Sequence, residues 1–478
     1  MFKKVLSKAP NGTVYIYMDE PCYDRSTGKS SHKRVCVGKL DSDGNEVYNS
    51  RYSAFIGSDG ESQVTKAVLA GEKLLLDKTI RQMGLERLLS EVFGEERASA
   101  LLSLSSYLTA GGKKLSEAPY WLRERGYGET TAEKTRLLLE SLGEEEIARF
   151  YSLWGEKKRG AKSYLYLLRP ITSYGRAGTY LERGLNDEEE EEIHLAALSS
   201  RRCPLRVAEY EGRRAEDIEN LLSSPFLEKE EELTVIGDRK LYPFQQLFSS
   251  RGLSYILPVP SGVRARRELL MRHQEALRAP GSILVDKDNE VIHALTVEER
   301  GRNGKVYKHL YYDEKRKERE NKAFLERLER ARSGKKEDRF AKRYLDNPEA
   351  AEEFLKGPSA CWVLASDAER NAREALCQYR IRNDMELHFD DLRNSADSGR
   401  SGMDESLEGK LFLYFLSLLL VSELKSKASS TGLKRKYHYN WKDILDKVSS
   451  YSKVTVGKLE LYTAPDEEQR RIFTAFKL

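Results

Sequence analysis

Residues 379–393 have the sequence "YRIRNDMELHFDDLR". Its polar residues recur at steps of three, four and seven: Tyr379, Arg382, Glu386 and Arg393. Because a helix turns by about 100° per residue, these side chains share one helical face. The neighbouring stripe is apolar: Ile381, Met385, Phe389 and Leu392. The pattern predicts a helix with one buried face, whose neighbouring face carries a carboxylate between two guanidinium groups.

Length and composition bound the class of protein. A chain of 478 residues exceeds one ordinary hydrophobic core, so two to four domains are expected, and a hydrophobic content of 39% is sufficient to build them. Charged residues make up 33% of the chain and nearly balance, at a net charge of +4. The overall charge therefore gives only weak support for a polyanionic partner, and local patches decide the question.

Cysteine usage and hydropathy indicate the compartment. The five cysteines are widely spaced and form no CxxC pair: Cys22, Cys36, Cys203, Cys361 and Cys377. With no secretory signal at the N-terminus, they predict reduced thiols of a cytoplasmic protein rather than a zinc site. The most apolar run, Leu411 to Val421, is shorter than the ~20 residues needed to cross a bilayer. It predicts a buried helix and no membrane partner.

Shifts in pattern divide the chain into six segments. They are a β-rich N-terminal unit (1–62), a helical DNA-binding region (63–160), the first part of an α/β core (161–253), a β-rich insertion with a basic helix (254–375), the return of the core (376–425) and a C-terminal region (426–478). The DNA-binding prediction for the helical region rests on Arg and Lys on outer helix faces. Solvated surface helices without a partner are the alternative.

The first part of the core combines strands with a helix. Four runs have strand character: "SYLYLLRP", "EIHLAAL", "PLRVAEY" and "EELTVIGD". A helical segment, "AEDIENLLS", lies between the third and fourth, so a mixed α/β sheet is the economical prediction. The fourth run ends in Gly237-Asp238-Arg239, which places an acid at the carboxyl end of a strand. Open α/β sheets usually carry their chemistry at such ends.

Two charged stretches have different interpretations. The acidic run from Asp187 to Glu192 points in all directions, so a solvated turn is a better prediction than a metal site. Residues 302–343 hold sixteen Arg and Lys against eight Asp and Glu, a local charge of +8. That charge suits a phosphate-rich partner. An exposed helix with mixed ion pairs explains the composition equally well.

Asp238 and Glu386 are the candidate catalytic acids. A site for polynucleotidyl transfer needs hard oxygen ligands that hold two Mg²⁺ ions ~4 Å apart. Arg382 lies one turn before Glu386, where a phosphate beside the metals would bind it, and Tyr379 and Arg393 extend that face. The alternative is an intrahelical Arg382–Glu386 ion pair worth a few tenths of a kcal/mol.

Four stretches of the chain resemble segments of a known protein family. The arrangement Tyr-x2-Arg-x3-Glu-x6-Arg, followed by "DESLEGKLFLYFLSLLL", resembles the Tyr-Arg-Glu-Lys signature of DDE transposases from bacterial insertion sequences. "TVIGDRKLYPFQQL" resembles the segment around their second catalytic acid, and "ITSYG", residues 171–175, the segment directly after their first. "EYEGRRAEDIENLL" is similar to the strand, turn and helix between those two acids.

The resemblance implies a fold and an activity. It implies a ribonuclease-H-like mixed-sheet core interrupted by a β-rich insertion, and Mg²⁺-dependent cutting at terminal inverted repeats followed by joining to target DNA. Asp238 and Glu386 are then the metal ligands, while Tyr379, Arg382, Arg393 and Arg239 contact double-stranded DNA. Arg393 stands where the family has Lys, which keeps the charge. A homodimer is implied, because two DNA ends must be held together.

One departure from the family concerns the first acid. An Asp is expected directly before "ITSYG", but the sequence has Pro170 in that place, preceded by Arg169. Proline supplies no ligand and lacks the N–H that a central strand uses, so both chemistry and sheet pairing are expected to suffer. The nearest later acids are Glu182 and Asp187. We therefore expect a transposase by descent whose cutting activity is lost or strongly reduced.

Two further hypotheses remain open at this point. The first is a non-catalytic protein that recognises DNA ends, which predicts salt-dependent binding without metal-dependent cleavage. The second is a nuclease of the same fold that acts outside transposition, which predicts cutting without strand transfer into a target plasmid.

Overall fold

The structure of the chain, a computed structural model, divides into two compact units. The terminal unit comprises Met1–Leu137 and Glu423–Leu478, and the central unit comprises Leu138–Ser422. The structure describes residues 3–10, 12–24, 29–41, 44, 46–48, 64–174, 190–200, 203–227, 230, 232–285, 291–301, 304–333, 339–356, 360–396, 407–456 and 459–478.

The terminal unit begins with an antiparallel sheet in which the strands pair in chain order. These strands are β1 (Lys3–Lys8), β2 (Val14–Asp24), β3 (Lys29–Leu40) and β4 (Glu46–Tyr48). The turn before β2 uses Gly12 at a φ of 86°, a conformation that glycine adopts without a steric penalty. Ile16 and Val37 are fully buried on the sheet.

Helices follow, as the three-to-four-residue spacing of apolar residues predicts. The next elements are β5 (Val64–Leu69), α1 (Gly71–Met83), α2 (Leu85–Phe93), α3 (Glu95–Thr109) and α4 (Ala118–Glu124). Gly84, at a φ of 72°, ends α1 and starts α2 directly. Leu75, Leu89 and Leu101 are fully buried between these helices. The helical pattern of this part of the sequence is thus present in the structure.

Two helices lead into the central sheet, α5 (Ala132–Glu140) and α6 (Glu144–Lys158). The hydroxyl of Thr131 accepts a hydrogen bond from the Lys134 backbone N–H at 3.1 Å, which caps α5. The buried indole of Trp154 in α6 donates to the carbonyl of Pro204 at 2.9 Å. That bond fixes α6 against the sheet of the central unit.

A ten-stranded mixed sheet forms the central unit. Its strands are β6 (Lys162–Leu167), β7 (Ile171–Tyr174), β8 (Glu190–Ser200), β9 (Cys203–Tyr210), β10 (Glu232–Ile236), β11 (Ser254–Pro258), β12 (Ile283–Val285), β13 (Val291–Gly301), β14 (Gly304–Tyr312) and β15 (Cys361–Ser366). The order is β12-β13-β14-β15-β11-β10-β6-β8-β7, with β9 paired to β8. The pairs β6–β10 and β10–β11 are parallel and the others antiparallel. The predicted mixed α/β sheet is confirmed.

Further helices connect or follow these strands. They are α7 (Ala215–Leu222), α8 (Gln245–Ser250), α9 (Arg264–Arg272), α10 (Gln274–Arg278), α11 (Glu314–Arg332), α12 (Arg339–Leu345), α13 (Pro348–Lys356), α14 (Ala372–Ala396) and α15 (Leu407–Ser430). Side chains alternate along β6: Leu165 and Leu167 join the core formed with α7 to α10, whereas the Tyr166 hydroxyl donates to Gln378 of α14 at 2.7 Å. The helix of residues 379–393 therefore lies across one face.

The part of the sequence interpreted as an insertion shares the same sheet. Strands β12, β13 and β14 extend it beyond β15 in antiparallel register. The basic stretch of residues 302–343 contains helix α11 and most of α12, and residues 334–338 between them lie outside the described part. Period-2 alternation predicts strands but does not specify which sheet they join.

The C-terminal elements belong to the terminal unit. They are α16 (Leu433–Tyr437), α17 (Trp441–Val448), β16 (Ser452–Val456), β17 (Leu459–Tyr462) and α18 (Glu467–Phe476). Strand β16 pairs with both β17 and β5 in a three-stranded antiparallel sheet. The apolar run of α15 is buried, as expected. Within the described residues, every helix is too short or too polar to span a membrane.

Candidate active site

Three turns meet at one edge of the central sheet. Strands β6 and β10 are parallel, and β9 runs in the same direction as β6 because both are antiparallel to β8. The carboxyl ends of these three strands therefore share an edge. Leu168 follows β6, Arg213 follows β9, and Asp238 follows β10. Polar groups that the sequence separates by up to 70 residues are collected there.

Glu386, on α14, reaches this edge. Its Oε1 atom accepts the backbone N–H of Arg169 at 2.7 Å and a hydrogen bond from the Arg382 guanidinium. Its Oε2 atom lies 3.4 Å from Nε of Arg169. The Glu386 side chain is only 7% exposed. Both of its oxygens are thus engaged by arginine groups.

Arg382 is the most deeply buried of these arginines, with 2% of its side chain exposed. Besides contacting Glu386, its Nε donates to the carbonyl of Leu167 at 3.0 Å. A guanidinium at this depth is stable only when a carboxylate or carbonyls satisfy it. Arg382 therefore links α14 to the last residue of β6.

Asp238 has an arginine partner of its own. Its Oδ2 accepts from Nη1 of Arg213 at 2.6 Å, and its Oδ1 accepts the backbone N–H of Lys240 at 2.8 Å. The second bond caps the 3₁₀ turn Arg239–Phe244. Nη2 of Arg213 donates to the carbonyl of Leu168 at 2.8 Å. Arg169, Arg213 and Arg382 are here called the arginine cluster, and two of them, Arg213 and Arg382, donate to carbonyls at the end of β6.

Electrostatics connect the two acids. Burial raises the pKa of Glu386; the guanidinium groups of Arg382 and Arg169 oppose that shift, and the negative charge of Asp238 adds to it. Burial likewise raises the pKa of Tyr379, where Arg382 opposes the shift and both acids reinforce it. Tyr379 also lies beside Arg382, 5.7 Å from ring centroid to guanidinium carbon. Asp238, Glu386, Tyr379 and Arg382 therefore share one electrostatic environment.

Comparisons with known proteins do not assign the chain to a family. The sequence matches no protein-family profile and no curated protein. Among solved structures, a piggyBac transposase synaptic complex with hairpin DNA, determined by cryo-EM, is similar over 89% of this chain and 78% of that chain. The sequence identity is 10% and the TM-score 0.30. We draw no conclusion about this chain from a similarity at that level.

The other residues that the sequence analysis named are two arginines and two acids. Arg239 is exposed beside Asp238, and Arg393 lies in α14, although its side chain is outside the described part. Glu182 and Asp187, the later acids, also lie outside the described residues. Glu386 lies between the guanidinium groups of Arg382 and Arg169, and the predicted position of Arg393 beside it stays a prediction.

Sheet pairing is interrupted around Pro170, as the missing N–H predicts. Pairing of β6 with β8 ends at Leu167, and pairing of β7 with β8 starts at Ile171. In the break between them, the Leu168 N–H donates to the carbonyl of Leu195 at 3.0 Å. No ladder hydrogen bond requires an N–H at Pro170. Pro170 also has no side-chain oxygen, so it supplies no metal ligand at the position where the resemblance implies the first Asp.

The described side chains do not fit two Mg²⁺ ions. Within the described ranges, no group of three or more His, Cys, Asp or Glu side chains is placed to hold a metal. All four carboxylate oxygens of Asp238 and Glu386 already face N–H donors, and three positive guanidinium groups surround them. Magnesium requires free oxygen ligands and is repelled by such cations.

Sequence reasoning missed two residues of the site. Arg213 lies in the segment "EYEGRRAEDIENLL", and its position after a strand that runs with β6 is the signal that would have indicated it. Asp390 lies one helical turn after Glu386, and its Oδ2 accepts from Nη2 of Arg169 at 3.3 Å. Spacing of four residues from Glu386 places Asp390 on the same face.

Proposed function

We propose that the chain is a DNA transposase by architecture, with impaired strand cutting, that binds double-stranded DNA. The observation that carries the proposal is the pairing of both candidate acids with the arginine cluster at the carboxyl edge of the sheet. The Tyr-Arg-Glu arrangement lies beside an Asp at a strand end, as the sequence resemblance requires. The mixed sheet and the flanking helix support a ribonuclease-H-like core.

Impaired cutting follows from the chemistry of the site. Mg²⁺, when bound in enzymes of this class, activates the attacking hydroxyl and stabilises the leaving oxygen. Here Pro170 supplies no carboxylate, and the guanidinium groups of the arginine cluster neutralise the carboxylates of Asp238 and Glu386. The residues of this chain instead hold the end of β6, α14 and the Asp238 turn together. The site is a structural junction in which charges compensate one another.

DNA binding is the activity that this arrangement leaves intact. Arg239 is exposed at the sheet edge, where a phosphate would pair with its guanidinium. The basic stretch of residues 302–343 adds positive charge in the same unit. A pair of subunits holding two ends stays a prediction.

A cleavage assay tests the proposal. Purified protein is incubated with duplex DNA that carries the inverted repeats flanking its gene, in the presence of Mg²⁺ or Mn²⁺. The unaltered chain is expected to shift the DNA in a binding assay without nicking it. A Pro170→Asp, Arg169→Ser variant restores an acid and removes one guanidinium, so nicking is expected to appear. Efficient cutting by the unaltered chain defeats the proposal.

The second candidate function is a DNA-end-binding protein without any catalytic role. The observation that favours it is the same saturation of carboxylate oxygens by arginine donors. The two candidate functions predict different results for the Pro170→Asp, Arg169→Ser variant. A protein that only binds DNA ends gains no nicking activity when the acid is restored. Absence of nicking by the variant, with DNA binding retained, selects this second function.

A further inference from the structure

A cation-lined cleft lies between α16 and α18 of the terminal unit. Its volume is ≈ 650 Å³. The charged and aromatic side chains that line it are Arg435, Lys436, Tyr437, Glu467, Arg470 and Arg471. Four cations against one carboxylate give the lining a formal charge of +3. The remaining lining residues are small, apolar or hydroxylic.

The fold directs these cations into the cleft. Helix α16 has only five residues, because Gly432 and His438 flank it in the left-handed conformation, at φ of 76° and 58°. Its Leu433 is buried, which leaves Arg435 and Lys436 exposed. Helix α18 buries Ile472 and Phe476 and turns the face that carries Arg470 outward.

Neighbouring acids do not neutralise the lining. Glu467 pairs with Arg471 across one helical turn. Glu468 accepts from Nζ of Lys447 at 2.8 Å and from the hydroxyl of Tyr439 at 2.5 Å. Within the described part of the chain, Arg435, Lys436 and Arg470 have no carboxylate partner, and the guanidinium of Arg470 donates only to the carbonyl of Pro465. Three positive charges thus remain available to a ligand.

Tyr437 gives the cleft an ordered wall. The guanidinium carbon of Arg471 lies 4.8 Å from the centroid of its ring, and Nζ of Lys436 lies 5.2 Å from it. Cations held over a ring lose less rotamer freedom when a ligand arrives. The cleft is therefore a pre-formed surface for an extended anion.

We infer that this cleft binds the phosphate backbone of double-stranded DNA. The inference rests on the proposed function for the choice of DNA as the polyanion. Arg and Lys without acid partners contact phosphate oxygens irrespective of sequence, and each contact releases counterions. The cleft would therefore add affinity and salt dependence without sequence preference.

A salt titration tests the inference. The full chain is titrated against a fluorescein-labelled 20-bp duplex of mixed sequence at several salt concentrations. An Arg435→Gln, Lys436→Gln, Arg470→Gln variant is compared with a matched variant, Lys8→Gln, Arg34→Gln, Lys39→Gln, whose exposed cations lie on the N-terminal sheet. The cleft variant is expected to lower the slope of log K against log salt by about 2 to 3, since each phosphate contact contributes ~0.9. The matched variant is expected to change it by less than about 1.

Each other outcome has a defined meaning. Equal losses in both variants, or an unchanged slope in the cleft variant, overturn the inference while leaving DNA binding by the chain intact. Failure of the unaltered chain to bind any DNA overturns the inference and the proposed function together. Tighter, cleft-dependent binding of single-stranded RNA of the same length assigns the cleft to RNA and overturns the choice of duplex DNA.

Discussion

Oε1 of Glu386 accepts the backbone N–H of Arg169 at 2.7 Å, although 217 residues separate the two in sequence. The bond joins α14 to the segment that follows β6. Arg382 reinforces the joint by donating to Leu167 at 3.0 Å. The carboxylate that the family resemblance assigns to metal binding thus has a structural role in this chain.

Removal of the Glu386 carboxylate should destabilise the central unit strongly. Glu386→Ala leaves the buried Arg382 guanidinium without its acid, which costs about 3–5 kcal/mol in comparable buried pairs. Urea unfolding measures the effect by tryptophan fluorescence. Phenylalanine at Trp121 and Trp441 in all samples leaves Trp154 and Trp362 to report the central unit alone.

The control for this experiment is Asp390→Ala. Asp390 also contacts Arg169 but is half-exposed, so its loss should cost no more than about 1 kcal/mol. Equal costs for the two substitutions would show that Glu386 is not the residue that holds the joint.

Tyr166→Phe should loosen α14. The substitution removes the hydroxyl that donates to Oε1 of Gln378 at 2.7 Å. Gln378 is only 3% exposed, so loss of this donor is expected to lower the free energy of unfolding by about 1–3 kcal/mol. Hydrogen exchange of the α14 amides should accelerate. Tyr164→Phe, at a half-buried position on the same face of β6, serves as the control. Unchanged exchange in Tyr166→Phe contradicts the assigned role of this bond.

Stability at acidic pH should depend on His309. Burial lowers the pKa of this fully buried side chain to about 4, while the unfolded chain protonates near pH 6.5. The stability that requires neutral His309 is therefore present above pH 6.5 and lost as pH falls toward 4. Between pH 7 and 4.5 the unaltered chain should lose about 2 kcal/mol more than His309→Gln. Parallel pH profiles would contradict the prediction.

Much of the fold is predictable because local rules and tertiary packing agree. The steps between Tyr379 and Glu386 specify one helical face, and the structure has that face against the sheet. The run "EELTVIGD" predicts a strand that ends at an acid, and Asp238 directly follows β10 in the structure. In each case, the decisive interactions lie within a few residues of one another.

The rest depends on contacts that spacing does not encode. Arg213 meets Asp238 only because β8 pairs with β9 on one side and β6 on the other, which brings two turns to one edge. Arg169 was noticeable beside Pro170, but its bond to Glu386 requires α14 to cross that edge. The missing N–H of Pro170 predicts a loss of pairing, and pairing with β8 is interrupted between β6 and β7, but the sequence does not indicate that β8 is the strand opposite. Such outcomes follow from strand order, which a single sequence does not specify.

Binding of Mn²⁺ shows whether Asp238 and Glu386 form a metal site or are compensated by the arginine cluster. The free-ion signal in electron paramagnetic resonance is followed as Mn²⁺ is added to the unaltered chain, to Glu386→Gln and to Pro170→Asp, Arg169→Ala, Arg213→Ala. We predict no site tighter than about 1 mM in the unaltered chain and a tighter site in the triple variant, because the arginine cluster compensates both acids. A site tighter than about 0.1 mM in the unaltered chain that Glu386→Gln abolishes would show that the two acids bind metal despite the arginine cluster.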